Sequence, residues 1–138
     1  MVVDAGIGAV LFLVARILVG GFLAFQGLNH FLNADAMSGY AQSKGLPAAR
    51  ASVLLSGGTL LFGGLGIVFG VFPALAAGAV VLFLLFATPL MHDFWAVPEE
   101  QRQSEMTDFI KNVELLGAAL VFLALSSEPW AYAIGLGL

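Results

Sequence analysis

The sequence predicts an all-α fold, a four-helix transmembrane bundle running up-down-up-down. Three observations carry that expectation. Ala51 to Met91 is a run of 41 residues without Asp, Glu, Lys, Arg or His. As helix, at about 1.5 Å per residue, it would be roughly 60 Å long, twice the thickness of a hydrocarbon core, so it reads as two spans joined by a turn. Only 10% of the chain is charged and 60% is hydrophobic, whereas a soluble domain carries about 25% charged residues. Finally, runs such as Val80-Val81-Leu82-Phe83-Leu84-Leu85-Phe86 do not alternate. A membrane β-barrel would alternate over segments of about ten residues, which leaves helices to satisfy the backbone in lipid.

The first span is expected over residues 6–31, with Leu28-Asn29-His30-Phe31 as its polar end. Residues 33–47, containing Asp35, Gly39, Lys44, Gly45 and Pro47, read as a loop. The second span is expected over 48–70. Pro73 suits the first turn of a third span, 73–91, because its missing N–H is harmless there; Pro89 should weaken the last turn. Residues 92–105 read as a second loop, the most densely charged part of the chain. The fourth span is expected over 106–126, closed by Glu128-Pro129-Trp130. The apolar tail 131–138 is too short to cross and is placed at the interface. All 138 residues form one transmembrane domain on this reading.

Several function classes are excluded by composition. A net charge of −4 argues against nucleic acid as a partner. The absence of cysteine removes disulfides, thiolate chemistry and cysteine-ligated clusters. No HExxH or Walker sequence occurs, so no metal site is expected. The N-terminus has no basic region ahead of its apolar run, so it is expected to be retained as a span. Lys44, Arg50, Arg102 and Lys111 lie on one side of the four-span layout, which places both termini away from the cytoplasm. Gly66 with Gly70, Gly20 with Ala24, and Ala74 with Gly78 have spacings that let helices approach closely, within the chain or across a homodimer seam.

Ionisable groups inside lipid are costly and mark functional candidates. At 100° per residue, Arg16, Gln26 and His30 share one face of the first span, and Lys111 and Glu114 share one face of the fourth. Arg16 is expected near mid-membrane, paired with Glu114. A second polar layer gathers Gln26, Asn29, His30, Thr88, His92, Asp93, Asp108, Lys111 and Asn112 toward the two loops. It reads either as a register-fixing network or as a pocket for a quinone head group, a proton or a small solute. His30 and His92 suit proton exchange near neutral pH; as a haem ligand pair they are a weak match.

The segment Arg16-Ile-Leu-Val-Gly-Gly with Gln26-Gly27-Leu28-Asn29-His30-Phe31 resembles the first helix of the DoxX-like family of small integral membrane proteins. So does the late block Met91-His92-Asp93-Phe94-Trp95, followed by Arg102-Gln103, Phe109-Ile110-Lys111-Asn112 and Leu115-Leu116-Gly117-Ala118. The resemblance covers essentially the whole chain and implies a four-helix membrane protein. The family takes its name from membrane subunits of quinone-linked oxidoreductases acting on sulfur compounds, which implies a quinone as cofactor and an oxidoreductase subunit as partner. One carboxylate frequent early in the second helix of such proteins is absent here, where Ser56 stands, so an acid role would fall to Asp93 or Glu114.

The leading expectation is therefore an oxidoreductase-associated membrane subunit. His92 and Asp93 would exchange protons as catalytic groups. Arg16, Gln26, His30, Lys111, Asn112 and Glu114 would form the substrate site. The alternatives are a non-enzymatic membrane scaffold or assembly factor, which would use the small-residue seams, and a small-solute transporter.

Overall fold

A computed structural model of the protein describes residues 3–137. These form five helices: α1 (Gly6–Leu32), α2 (Ala34–Ser43), α3 (Ala49–Phe69), α4 (Pro73–Met91) and α5 (Glu99–Ala124). Among the described residues there is no strand, only one isolated parallel bridge between Val71 and Leu136. Helices α1, α3 and α4 are each long and apolar enough to cross a membrane. Their outward faces carry large apolar side chains, including Leu11, Leu18, Phe25, Leu55, Phe62, Leu75 and Phe86, all more than half exposed. A surface of that kind is stable only when another apolar phase covers it.

Close packing is made by small residues. Gly20 and Gly27 of α1 lie against Gly64 and Gly57 of α3, so the two helices run antiparallel with backbones nearly touching. A methyl at Gly64 would sit 2.5 Å from the Ala24 amide nitrogen, closer than any real side chain. The opposite edge of α3 packs on α4, with Gly66 against Ala76 and Gly63 against Val80. Both contacts lie near the α3–α4 turn, where Gly70 has φ +64. Leu23, Leu60, Ile67, Val80 and Leu84 fill the interior. Gly20, Ala24, Gly66 and Gly70 thus serve packing within the chain.

Three parts of the sequence-based layout change. Residues 33–47 are not simply a loop, because Ala34–Ser43 forms α2. Asp35 in its first turn complements the helix dipole. At its other end Gly45 takes φ +79, while Leu46 N–H donates to Ala41 O and Gly45 N–H to Gln42 O, a Schellman stop. The charged segment before residue 106 is also helical: α5 begins at Glu99, just after Pro98, with Glu99 and Glu100 in its first turn. Charge there favours a helix N-terminus instead of breaking it.

The third change concerns Arg16. It is fully buried, but it does not lie halfway along the bundle and does not pair with Glu114. Helix α1 begins well beyond the end of α3, so Arg16, in its third turn, sits level with the last turn of α3. A helix leaves its last four carbonyls without internal donors. Here Gly66 O accepts from Val71 N, Ile67 O from Arg16 Nε at 3.1 Å, Val68 O from Arg16 Nη2 at 2.7 Å, and Phe69 O from Ile134 N. Arg16 also donates to Ala131 O at 2.7 Å and Tyr132 O at 3.2 Å, and its guanidinium lies 5.2 Å from the Trp130 ring centroid. One cation at the negative end of α3 therefore ties down both that helix and the tail. The tail folds back over the α3–α4 turn, with Phe72 N–H donating to Leu136 O. Glu114 instead lies exposed on the outer surface of α5.

Candidate functional site

Away from the α3–α4 turn the helices part around a cavity of about 970 Å³. Its wall is mostly apolar, with Leu60, Phe83 and Ala87 inside. Leu55, Leu82, Phe86 and Leu90 also line it and are exposed on the outside of the protein, so the cavity opens through the side of the helical body between α3 and α4. Met37, Tyr40 and Ala41 of α2 cover its end, brought to one face by helical spacing.

The polar groups on the wall come from α1, α2, α3, α5 and the residue after α4. Gln26, His30, His92, Lys111 and Asn112 all line the cavity, together with Asn29, Ser52, Ser56 and Thr59. The structure thus gathers five of the eight side chains expected to carry chemistry. Asp93 lies beside the cavity, held by Lys44. Arg16 and Glu114 do not border it.

His30 is fixed by α3. Its Nδ1 lies 3.0 Å from Ser56 Oγ and 3.2 Å from Val53 O, while Ser56 Oγ donates to the same carbonyl at 2.9 Å. Gly57 makes room for this, since a methyl there would meet His30 Cβ at 2.7 Å. Among the described residues, the Gln26 and Asn112 amides and His30 Nε2 make no hydrogen bond, and none of these atoms is sealed from the cavity. Among the described residues, Thr88 Oγ1 is the one enclosed side-chain polar atom without a partner.

A second set of contacts ties α2 to the α4–α5 connection. Lys44 pairs with Asp93. The Tyr40 hydroxyl lies 2.7 Å from Glu105 Oε1 and 3.0 Å from Met91 O. His92 Nδ1 meets Glu105 Oε2 at 2.9 Å, and Lys111 meets Asp108 at 3.2 Å. The hydrogen bond from Lys44 holds the Asp93 carboxyl below its ordinary range. Burial pushes Glu105 up, but hydrogen bonds from Tyr40 and His92 outweigh it and the net shift is downward. Burial and the Glu105 carboxylate raise the Tyr40 phenol well above its usual value. His92, Glu105 and Asp108 bring three donor atoms within 4.8 Å of one another, a spacing that could hold a cation. The carboxylates are engaged instead by Tyr40, His92 and Lys111.

The α2 contribution, above all Tyr40 and Lys44, was missed from sequence. The signal was present in the Gly45 and Pro47 stop, preceded by Ala34, Met37 and Ala41 at helical spacing.

The family model described as DoxX matches residues 11–93, spanning α1 to the end of α4. The chain belongs to the DoxX family. With three helices able to cross a bilayer, this DoxX protein is an integral membrane protein. The DoxX match covers four of the helices that border the cavity and ends before α5, which supplies Lys111 and Asn112. No curated protein matches the chain, and no solved structure matches it.

Proposed function

We propose that this DoxX protein is a membrane subunit of a quinone-linked oxidoreductase, and that the cavity binds the quinone. The observation that carries the proposal is the combination of a lateral apolar opening with unspent polar groups behind it. Exposed Leu55, Leu82 and Phe86 form a doorway facing the hydrocarbon phase. The Gln26 and Asn112 amides and His30 Nε2 have no hydrogen-bond partner among the described residues. A ligand with a long apolar tail and a small oxygen-bearing head meets both requirements. A volume of about 970 Å³ admits the ring and the first part of the tail. Asn112 and Lys111 suit the ring oxygens as donors, while His92 and Asp93 lie toward the charged end, where protons could be exchanged with water.

On this proposal α5 supplies a fourth span through its apolar second half, completing an up-down-up-down bundle with α1, α3 and α4. Lys44, Arg50, Arg102 and Lys111 then face the cytoplasm, with both termini on the other side. A scaffold role would have relied on the small-residue seams. Gly20, Gly27, Gly57 and Gly64 are already occupied by one another.

The test is a binding titration of a short-chain quinone against purified protein in lipid nanodiscs. The wild type is expected to bind saturably. Asn112→Leu and Gln26→Leu are expected to weaken binding at least tenfold while leaving thermal unfolding unchanged. Absence of saturable binding to the wild type, or full affinity in both variants, would refute the proposal.

A further inference from the structure

We infer that His30 makes the cavity selective for the hydroxyl-bearing, reduced form of its ligand over the carbonyl-bearing, oxidised form; the inference rests on the quinone reading above. Three contacts around His30 must be satisfied together. Val53 O can only accept. Ser56 Oγ lies 2.9 Å from that carbonyl and 3.0 Å from His30 Nδ1, and Nδ1 lies 3.2 Å from the carbonyl. If the serine proton pointed at an unprotonated Nδ1, that nitrogen would face Val53 O lone pair to lone pair. With the proton on Nδ1, the imidazole donates to Ser56 Oγ and Val53 O, and Ser56 donates to Val53 O. Every contact is then favourable.

The neutral ring therefore carries its proton on the α3 side, and Nε2 is left with a lone pair. Nε2 has no partner among the described residues and is not enclosed, and His30 stands on the cavity wall. The Nδ1 contacts to Ser56 Oγ and Val53 O orient the ring, whose centroid lies 6.5 Å from that of Phe83. A fixed acceptor of this kind gains a hydrogen bond from a phenolic hydroxyl. Against a quinone carbonyl it presents acceptor to acceptor and leaves both groups unsatisfied. The amides of Gln26 and Asn112 can each donate or accept, so they do not discriminate between the two forms. His30 is thus the specificity-determining residue.

The test uses full-length protein in lipid nanodiscs at pH 8, above the ordinary histidine pKa of about 6.5. A decyl-substituted benzoquinone and its two-electron-reduced hydroquinone are titrated separately by calorimetry without oxygen. The wild type is expected to bind the hydroquinone about five- to tenfold more tightly, the worth of one hydrogen bond. His30→Asn retains a donor for Val53 O and Ser56 but has nothing at the Nε2 position; its preference should fall to about onefold. Nitrogen-15 shifts of the wild-type imidazole give a readout that needs no variant, and the proton is expected on Nδ1. Equal or stronger binding of the quinone, a preference that survives His30→Asn, or a proton found on Nε2 would overturn the inference. If neither ligand binds the wild type, the quinone reading itself fails and takes this inference with it.

Discussion

Replacing Arg16 with methionine keeps a long apolar stem in the α1–α3 interface and removes the guanidinium. Four carbonyls lose their donor: Ile67 and Val68 at the end of α3, and Ala131 and Tyr132 in the tail. A buried acceptor left without a partner costs about 1–3 kcal/mol. The tail carbonyls can turn toward water once released, so the two α3 carbonyls set the estimate, about 2–6 kcal/mol. Relief from burying a cation offsets part of this, which brings the expected loss to about 2–4 kcal/mol. A loss of about 4 kcal/mol would shift the unfolding equilibrium roughly a thousandfold. Arg16→Lys should recover only a fraction, because one ammonium cannot reach the four carbonyls that a planar fork spans. The assay is reversible denaturant unfolding in mild detergent, with hydrogen exchange followed at residues 131–136. The tail amides of Ile134 and Gly135, which donate to Phe69 O and Gly70 O, should lose protection first. Unchanged tail protection and a stability change below about 1 kcal/mol in Arg16→Met would refute the idea that this residue caps α3 and anchors the tail.

Three further outcomes follow from the packing and the charged end. Gly64→Ala should destabilise by about 1–3 kcal/mol, because the methyl meets the backbone of Ala24; Gly58→Ala, which meets open space on the same helix, should stabilise by up to about 1 kcal/mol. Paired thermal melts check both. Ala48 holds φ 48 at the start of α3, so Ala48→Gly should stabilise by about 1 kcal/mol, measured by denaturant midpoint. Asp93 and Glu105 both have depressed folded-state values, so their contribution to holding α2 is complete above the ordinary carboxylate range near pH 4 and is lost as pH falls below it. Protection of the α2 amides, relative to their intrinsic exchange rates, should fall below about pH 4 in the wild type. It should already be low at pH 7 in Lys44→Ala. Protection of α2 that is the same at all pH values would contradict that ordering.

The three long apolar helices were legible because their signal is length and hydropathy, which need no tertiary information. The expected spans at residues 6–31, 48–70 and 73–91 differ from α1, α3 and α4 by a residue or so at each end. Helix α2 was obscured because ten residues with a central glycine make a weak helix alone. It persists because Ala34 and Ala41 bury against its neighbours and Tyr40 and Lys44 reach across to Glu105 and Asp93. The start of α5 was obscured because dense charge suits an exposed loop as well as the exposed first turns of a helix. Gln26, His30, His92, Lys111 and Asn112 were legible as one polar layer because helical angle and depth both follow from residue number. The partners of Arg16 were not legible: they are backbone carbonyls, and a sequence does not show which helix end will lie beside a given side chain. Glu114 followed from opposite charge at a similar expected depth on the Lys111 face, but the rotation of α5 turns it outward while Asn112 faces in.

The most direct test of the account is native mass spectrometry of the protein released from its own membranes into mild detergent. A ligand-binding cavity that opens to the bilayer should retain a membrane quinone, seen as a stoichiometric adduct of quinone mass that disappears in Asn112→Leu. Wild-type protein carrying only phospholipid, or an adduct that Asn112→Leu retains in full, would contradict it.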